Sequence, residues 1–218
     1  LFRSIVNGDN NVGVKNCRYP SGVIFNPTGN NDVNQALIVA VGSNTIGEGT
    51  SIGATTSWEE NYYASMKLDG SSKNAEYKSI GLDSFQLFPR VGMTSTDAGV
   101  YVLGWDTLNE RIVLNKGVYS NNIIEWRPYP INLDAGYYIL DYDMTWANDG
   151  MTGYIVMIGK KDNDTIDGNV TENNYRSPQP IILKTTDGGD NWDITQYDFS
   201  KLSGLYDVLR YTSDDITK

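Results

Sequence analysis

Asp162, Asp164 and Asp167 fall in the run Asp162-Asn163-Asp164-Thr165-Ile166-Asp167-Gly168. Alternating side-chain oxygens with a glycine at the bend suit calcium, a hard cation that takes about six to eight oxygen ligands. The spacing is one residue too long for the EF-hand pattern, so a solvated polar loop is the plainer reading, and no cofactor other than calcium is suggested. Thr185, Asp187, Gly189 and Trp192 form a second constellation, in Thr185-Thr186-Asp187-Gly188-Gly189-Asp190-Asn191-Trp192. A carboxylate at Asp187 can accept backbone N–H bonds across its own turn. Glycines at 188 and 189 allow the positive φ that a tight hairpin needs, and Trp192 can fold its ring over the turn. The chemistry of this second group is that of a structural clasp.

Catalytic chemistry has few footholds. Histidine is absent, which removes a Ser-His-Asp triad, a Cys-His pair and His-ligated zinc from this segment. Acid–base work would need carboxylates, Tyr or Lys. Cys17 is the one cysteine, so no intrachain disulfide forms, and it reads as a small packed side chain. The formal net charge is −10, and the basic residues are scattered rather than gathered into the stripe that phosphate binding needs. Nucleic acid and anionic membranes are therefore not expected partners. No apolar run approaches the ~20 residues of a membrane span, so no membrane insertion is expected. The opening Leu1-Phe2-Arg3-Ser4-Ile5-Val6 is neither an initiator Met nor a signal peptide, and it suggests a mature protein or an excised piece of one.

The elements that must position these groups read as all-β. Short apolar and aromatic runs, including 15 tyrosines, are separated by Asn, Asp, Gly and Ser clusters. One pattern occurs three times: an apolar strand, a polar turn, a strongly apolar strand, and a looser stretch ending in a Trp-led strand. The three units span about 20–69, 88–134 and 142–199, and 200–218 reads as the start of a further unit. Trp58, Trp126 and Trp192 lie 68 and 66 residues apart. That exceeds the ~40–45 residues of the tightest propeller repeats, so long loops are expected. Four short strands per unit fit a propeller blade. The apolar second strands, such as 36–41, 100–105 and 154–159, lack clean alternation and read as buried on both faces. The loop 160–180 is long, polar and expected to be exposed.

The segment Thr185–Trp192 matches Ser/Thr-x-Asp-x-Gly-x-x-Trp at every defined position and resembles the Asp box, or BNR repeat, of sialidase-like and sortilin-like β-propellers. The stretch 51–58 keeps only the Ser and the Trp of that motif, and the stretch before Trp126 keeps the Trp alone. The resemblance implies an all-β propeller of about three four-stranded blades, an incomplete part of a larger ring. It also implies a box on the rim away from the ligand face, with no catalytic part. Phe2-Arg3-Ser4-Ile5, Tyr19-Pro20-Ser21-Gly22, Gly29-Asn30-Asn31-Asp32 and Tyr62-Tyr63-Ala64-Ser65 are together similar to large secreted propeller proteins of Bacteroidetes-type bacteria, exported by the type IX route. That similarity implies a secreted or cell-surface protein. Thr107 in Asp106-Thr107-Leu108 and Thr165 in Asp164-Thr165-Ile166 then resemble the O-glycosylation sites of such proteins.

The functional expectation is a non-catalytic module that binds carbohydrate or protein, or acts as a scaffold. Its partners would be a glycan or protein ligand, or the remaining blades of the same polypeptide. The alternative is a sialidase-like glycoside hydrolase completed by blades outside this segment. Phe2-Arg3-Ser4-Ile5 only partly resembles that family's first arginine segment, and Arg90, Arg111, Arg127 and Arg176 have no motif context.

Overall fold

The computed structural model describes residues 16–45, 60–77, 80, 85–86, 92–106, 108–109, 111–133, 137–161 and 179–197. These residues are all-β apart from one 3-10 turn at Val33–Gln35. In chain order the strands are β1 (Asn16–Phe25), β2 (Leu37–Thr45), β3 (Glu60–Lys67), β4 (Asn74–Tyr77), β5 (Phe85–Gln86), β6 (Gly92–Thr96), β7 (Gly99–Asp106), β8 (Arg111–Ser120), β9 (Ile123–Ile131), β10 (Tyr137–Trp146), β11 (Gly153–Lys161), β12 (Gln179–Thr185) and β13 (Asp193–Gln196).

They form three antiparallel sheets, each built from consecutive strands. The first is β1-β2-β3-β4 and the third is β10-β11-β12-β13. In the second, β7, β8 and β9 follow one another, while β5 and β6 share the remaining edge of β7. That sheet is therefore four positions wide. Within each sheet every strand except β5, which pairs with β7, pairs with its neighbour in sequence, the arrangement that costs least in loop closure.

The second sheet lies between the other two. Val100, Val102, Val113 and Ile124 pack with Phe25, Leu37, Val39, Val41 and Tyr63 of the first sheet. The opposite faces of the same strands, through Tyr101, Leu103, Ile112 and Leu114, pack with Met144, Trp146, Ile155, Met157, Ile181 and Leu183 of the third. Side chains alternate between faces along a strand, so a strand covered on both sides has to be apolar throughout. β7 is such a strand, with every residue from Gly99 to Gly104 buried. β11 is equally apolar but is covered on one face only. Ile155 and Met157 are fully buried, while Tyr154, Val156 and Ile158 are 38%, 43% and 37% exposed. The expectation that all the second strands are buried on both faces is therefore corrected at β11.

β6 adjoins both β1 and β10, the first strands of the other two sheets. Ser95 Oγ on β6 donates to the Ile24 carbonyl on β1 at 2.8 Å. The turns that follow these strands line one rim. Thr28 Oγ1 donates to the Asp97 carbonyl at 2.6 Å, and the Asp97 N–H donates to the Asn148 carbonyl at 3.2 Å. Gly150 fits here for two reasons. Its φ is +68°, and a Cβ would stand 2.5 Å from that of Ala98. The antiparallel order brings the ends of β2 at Thr45, β7 at Asp106 and β11 at Lys161 to the opposite rim.

The sheets span 16–77, 85–131 and 137–196, and the tryptophans do not mark one repeated position. Trp192 immediately precedes the fourth strand of its sheet, but Trp126 sits inside β9. Trp58 lies outside the described residues, and the strand after it, β3, is third in its sheet rather than last. The first sheet closes instead on β4, a short strand without a strong apolar signal.

Candidate functional site

The residues 185–192 link β12 to β13 and form a closed hydrogen-bonded turn. β12 carries Ile181 and Leu183 inward to the core, which leaves Thr185 at its end on the same inward face, 1% exposed. Thr185 Oγ1 donates to Asp187 Oδ1 at 2.8 Å and accepts from the Gly189 N–H at 3.0 Å. Asp187 Oδ1 also accepts the Asn191 N–H at 2.9 Å, and Oδ2 accepts Asn191 Nδ2 at 2.8 Å. Trp192 Nε1 donates back to the Gly189 carbonyl at 3.1 Å. Gly188 and Gly189 hold φ of +80° and +99°, a region L side chains rarely adopt. Both carboxylate oxygens are thus engaged in holding the loop, an arrangement that fixes a hairpin.

The clasp is tied inward as well. The Gly188 N–H donates to the Met151 carbonyl in the β10–β11 turn at 2.9 Å. Trp192 meets Trp146 edge to face at 5.9 Å, and Trp146 stacks on Tyr101 of the second sheet at 4.1 Å and 15°. Tyr101 in turn donates its hydroxyl to the Gly150 carbonyl at 3.2 Å. The clasp, the β10–β11 turn and two sheets therefore meet at one aromatic stack. Trp146 and Tyr101 were not singled out by sequence reasoning. The only signal for them was their place at the end of one apolar strand and inside another.

Hydrogen bonds from the Asn191 side chain and backbone, then from Thr185, pull the Asp187 carboxyl down to about 2 from its usual 3.8. A depressed carboxylate contributes stability that is present above its unfolded pKa and lost as pH falls through the folded one. The midpoint of thermal unfolding should therefore fall as pH drops from about 4 toward 2, and Asp187→Ala should flatten that part of the profile. The same variant should melt below the parent at neutral pH, because it frees the Asn191 and Thr185 donors. A neutral-pH melt identical to the parent's would show that the clasp holds nothing.

A second tied turn lies on the opposite rim. Asp106 is fully buried and accepts from the Leu108 and Asn109 N–H groups, Asn109 Nδ2 and Arg111 Nε. Its partners make it a structural residue. Leu108 is 79% exposed at the tip of that turn. Thr107 lies outside the described residues, as do Thr165 and the calcium run Asp162, Asp164 and Asp167. Among the described residues no group of three or more His, Cys, Asp or Glu side chains is placed to hold a metal ion. Of the expected polar loop, Lys160 and Lys161 belong to β11, Gln179 and Pro180 to β12, and the remainder lies outside the described residues. No helix among the described residues is long and apolar enough to cross a membrane.

The chain matches no known protein family, no curated protein and no solved structure.

Proposed function

We propose that the three sheets are successive blades of an Asp-box β-propeller, exported or displayed at a cell surface. In this reading the chain is a non-catalytic module that binds a glycan or protein, or acts as a scaffold. The observation that carries it is the stacking order: three antiparallel sheets face to face, with β6 against both β1 and β10 and the turns after these three strands on one rim. A propeller needs that arrangement around its axis. The clasp occupies the rim of those first turns, and β2, β7 and β11 end at the other. Ligand contact belongs on that second rim, where loop length and sequence can vary without disturbing the blades.

The same reading makes the set incomplete. Each sheet presents one face to the next sheet in sequence, through Val39 and Val41 in the first and Tyr101 and Leu103 in the second. The corresponding face of the third carries Tyr154, Val156, Ile158 and the half-buried Ile182. A further blade of the native polypeptide would cover it.

Among the described residues no group of arginines is gathered as an acid-sugar site requires. Arg111 is held by Asp106 at 3.2 Å, Arg127 stands exposed on β9, and Arg3, Arg90 and Arg176 lie outside the described residues. No turnover of a fluorogenic sialoside is expected from this chain. Turnover that disappears in Arg3→Ala would overturn the non-catalytic reading. In a glycan-array or partner-binding assay, Asp187→Ala should bind like the parent, because the clasp lies on the other rim.

A further inference from the structure

The interface between the first and second sheets contains polar groups that the protein does not satisfy. Asn115 on β8 is fully buried, and neither its Oδ1 nor its Nδ2 has a hydrogen-bond partner in the protein. Asn115 pairs with Val102 on one side and Pro128 on the other. It shares a face with Val113, which packs against the first sheet. Two residues along that face, Gly117 makes room for the Trp126 ring. A Cβ at Gly117 would stand 2.9 Å from Trp126 Cζ3. Trp126 meets Tyr63 of the first sheet edge to face at 5.6 Å, and its Nε1 is also buried without a protein partner. Nearby, the Tyr63 hydroxyl accepts the Ile124 N–H at 3.1 Å and lies 3.3 Å from Ser65 Oγ. The interface therefore holds polar groups among its apolar residues.

A primary amide has two donor hydrogens and an acceptor oxygen. Leaving all of them unmade in a dry interior is costly, and native interiors meet such demands with ordered water. We infer that the interface between the first two sheets holds internal water bound by the Asn115 amide, with the Trp126 indole N–H donating to the same hydration site. A lone orphaned donor, as at Trp146 Nε1, would not carry this inference. Here two residues on one face present three orphaned atoms of both kinds. A hydrated seam fixes how the two sheets register, because a shift would strand the amide among Val100, Val102 and Val113.

The test uses the 218-residue chain. In an NMR experiment with 15N-labelled tryptophan, the Trp126 indole N–H should show a direct cross-relaxation peak to the water resonance, with the sign of a long-lived bound water. That peak should be lost or sharply weakened in Asn115→Val. A parent Trp126 N–H with no water peak would overturn the inference, and so would a peak that persists unchanged in Asn115→Val. Should that variant not fold, a crystal structure of the parent decides. Ordered water within hydrogen-bonding distance of Asn115 Oδ1 or Nδ2 is expected, and an amide enclosed by carbon atoms alone would refute it.

Discussion

Trp146→Ala should destabilise the protein by about 3–5 kcal/mol, the usual cost of removing a large buried aromatic side chain. Trp146 is 8% exposed, stacks on Tyr101 and supports Trp192. It also lies over Gly153, where a Cβ would stand 2.6 Å from its ring. Its removal leaves a cavity where the second sheet, the third sheet and the clasp meet, and the glycine beneath cannot fill it. The Nε1 atom has no protein partner, so Trp146→Phe, which keeps a ring and discards that atom, should cost far less. In a chain of this length the alanine variant should lower Tm by roughly 6–20 °C, with an unchanged denaturant m-value. An alanine variant that melts like the parent would mean that the stack holds neither sheet nor clasp.

The second large effect concerns the uncovered face of the third sheet. Tyr154, Val156 and Ile158 form an apolar row on β11, with Ile182 beside it, opposite Val156 on β12. Contiguous exposed apolar surface of this kind recruits a partner or drives association. The 218-residue chain should bind a hydrophobic dye and self-associate as its concentration rises. Val156→Lys should suppress both while leaving Tm nearly unchanged, since a surface substitution away from special features costs within about 0.5 kcal/mol. In a polypeptide that includes the next blade, the same lysine would be an unpaired charge in an interface and strongly destabilising. A monomeric parent that ignores the dye, or a Val156→Lys chain that unfolds on its own, would show that this face is not an interface awaiting cover.

What could be read from the sequence was local. The turn 185–192 is tied by its own residues, at separations of two to four positions, so its type could be read without knowing the fold. The second strands were legible as apolar runs, but not which of their faces would be covered. Val100-Tyr101-Val102-Leu103 and Tyr154-Ile155-Val156-Met157 look alike, and only stacking order separates a strand in the middle sheet from one in the outer sheet. β4 was missed because Asn74-Ala75-Glu76-Tyr77 is short and polar, as suits an edge strand. β9 runs further than Trp126 because Pro128 and Pro130 sit on a strand that pairs only with β8. Its other edge pairs with no strand among the described residues, and proline is tolerated there. The aromatic stack and the Asn115 seam were invisible for one shared reason. Each is assembled from strands far apart in sequence.

The central claim is that these sheets are consecutive propeller blades and that the third awaits a neighbour. An experimental structure of the protein in its native polypeptide tests this most directly. The account predicts a further four-stranded antiparallel sheet packed face to face on Tyr154, Val156, Ile158 and Ile182, with its first strand beside β10. A native structure in which those four side chains face solvent, or pack against anything other than such a sheet, would contradict it.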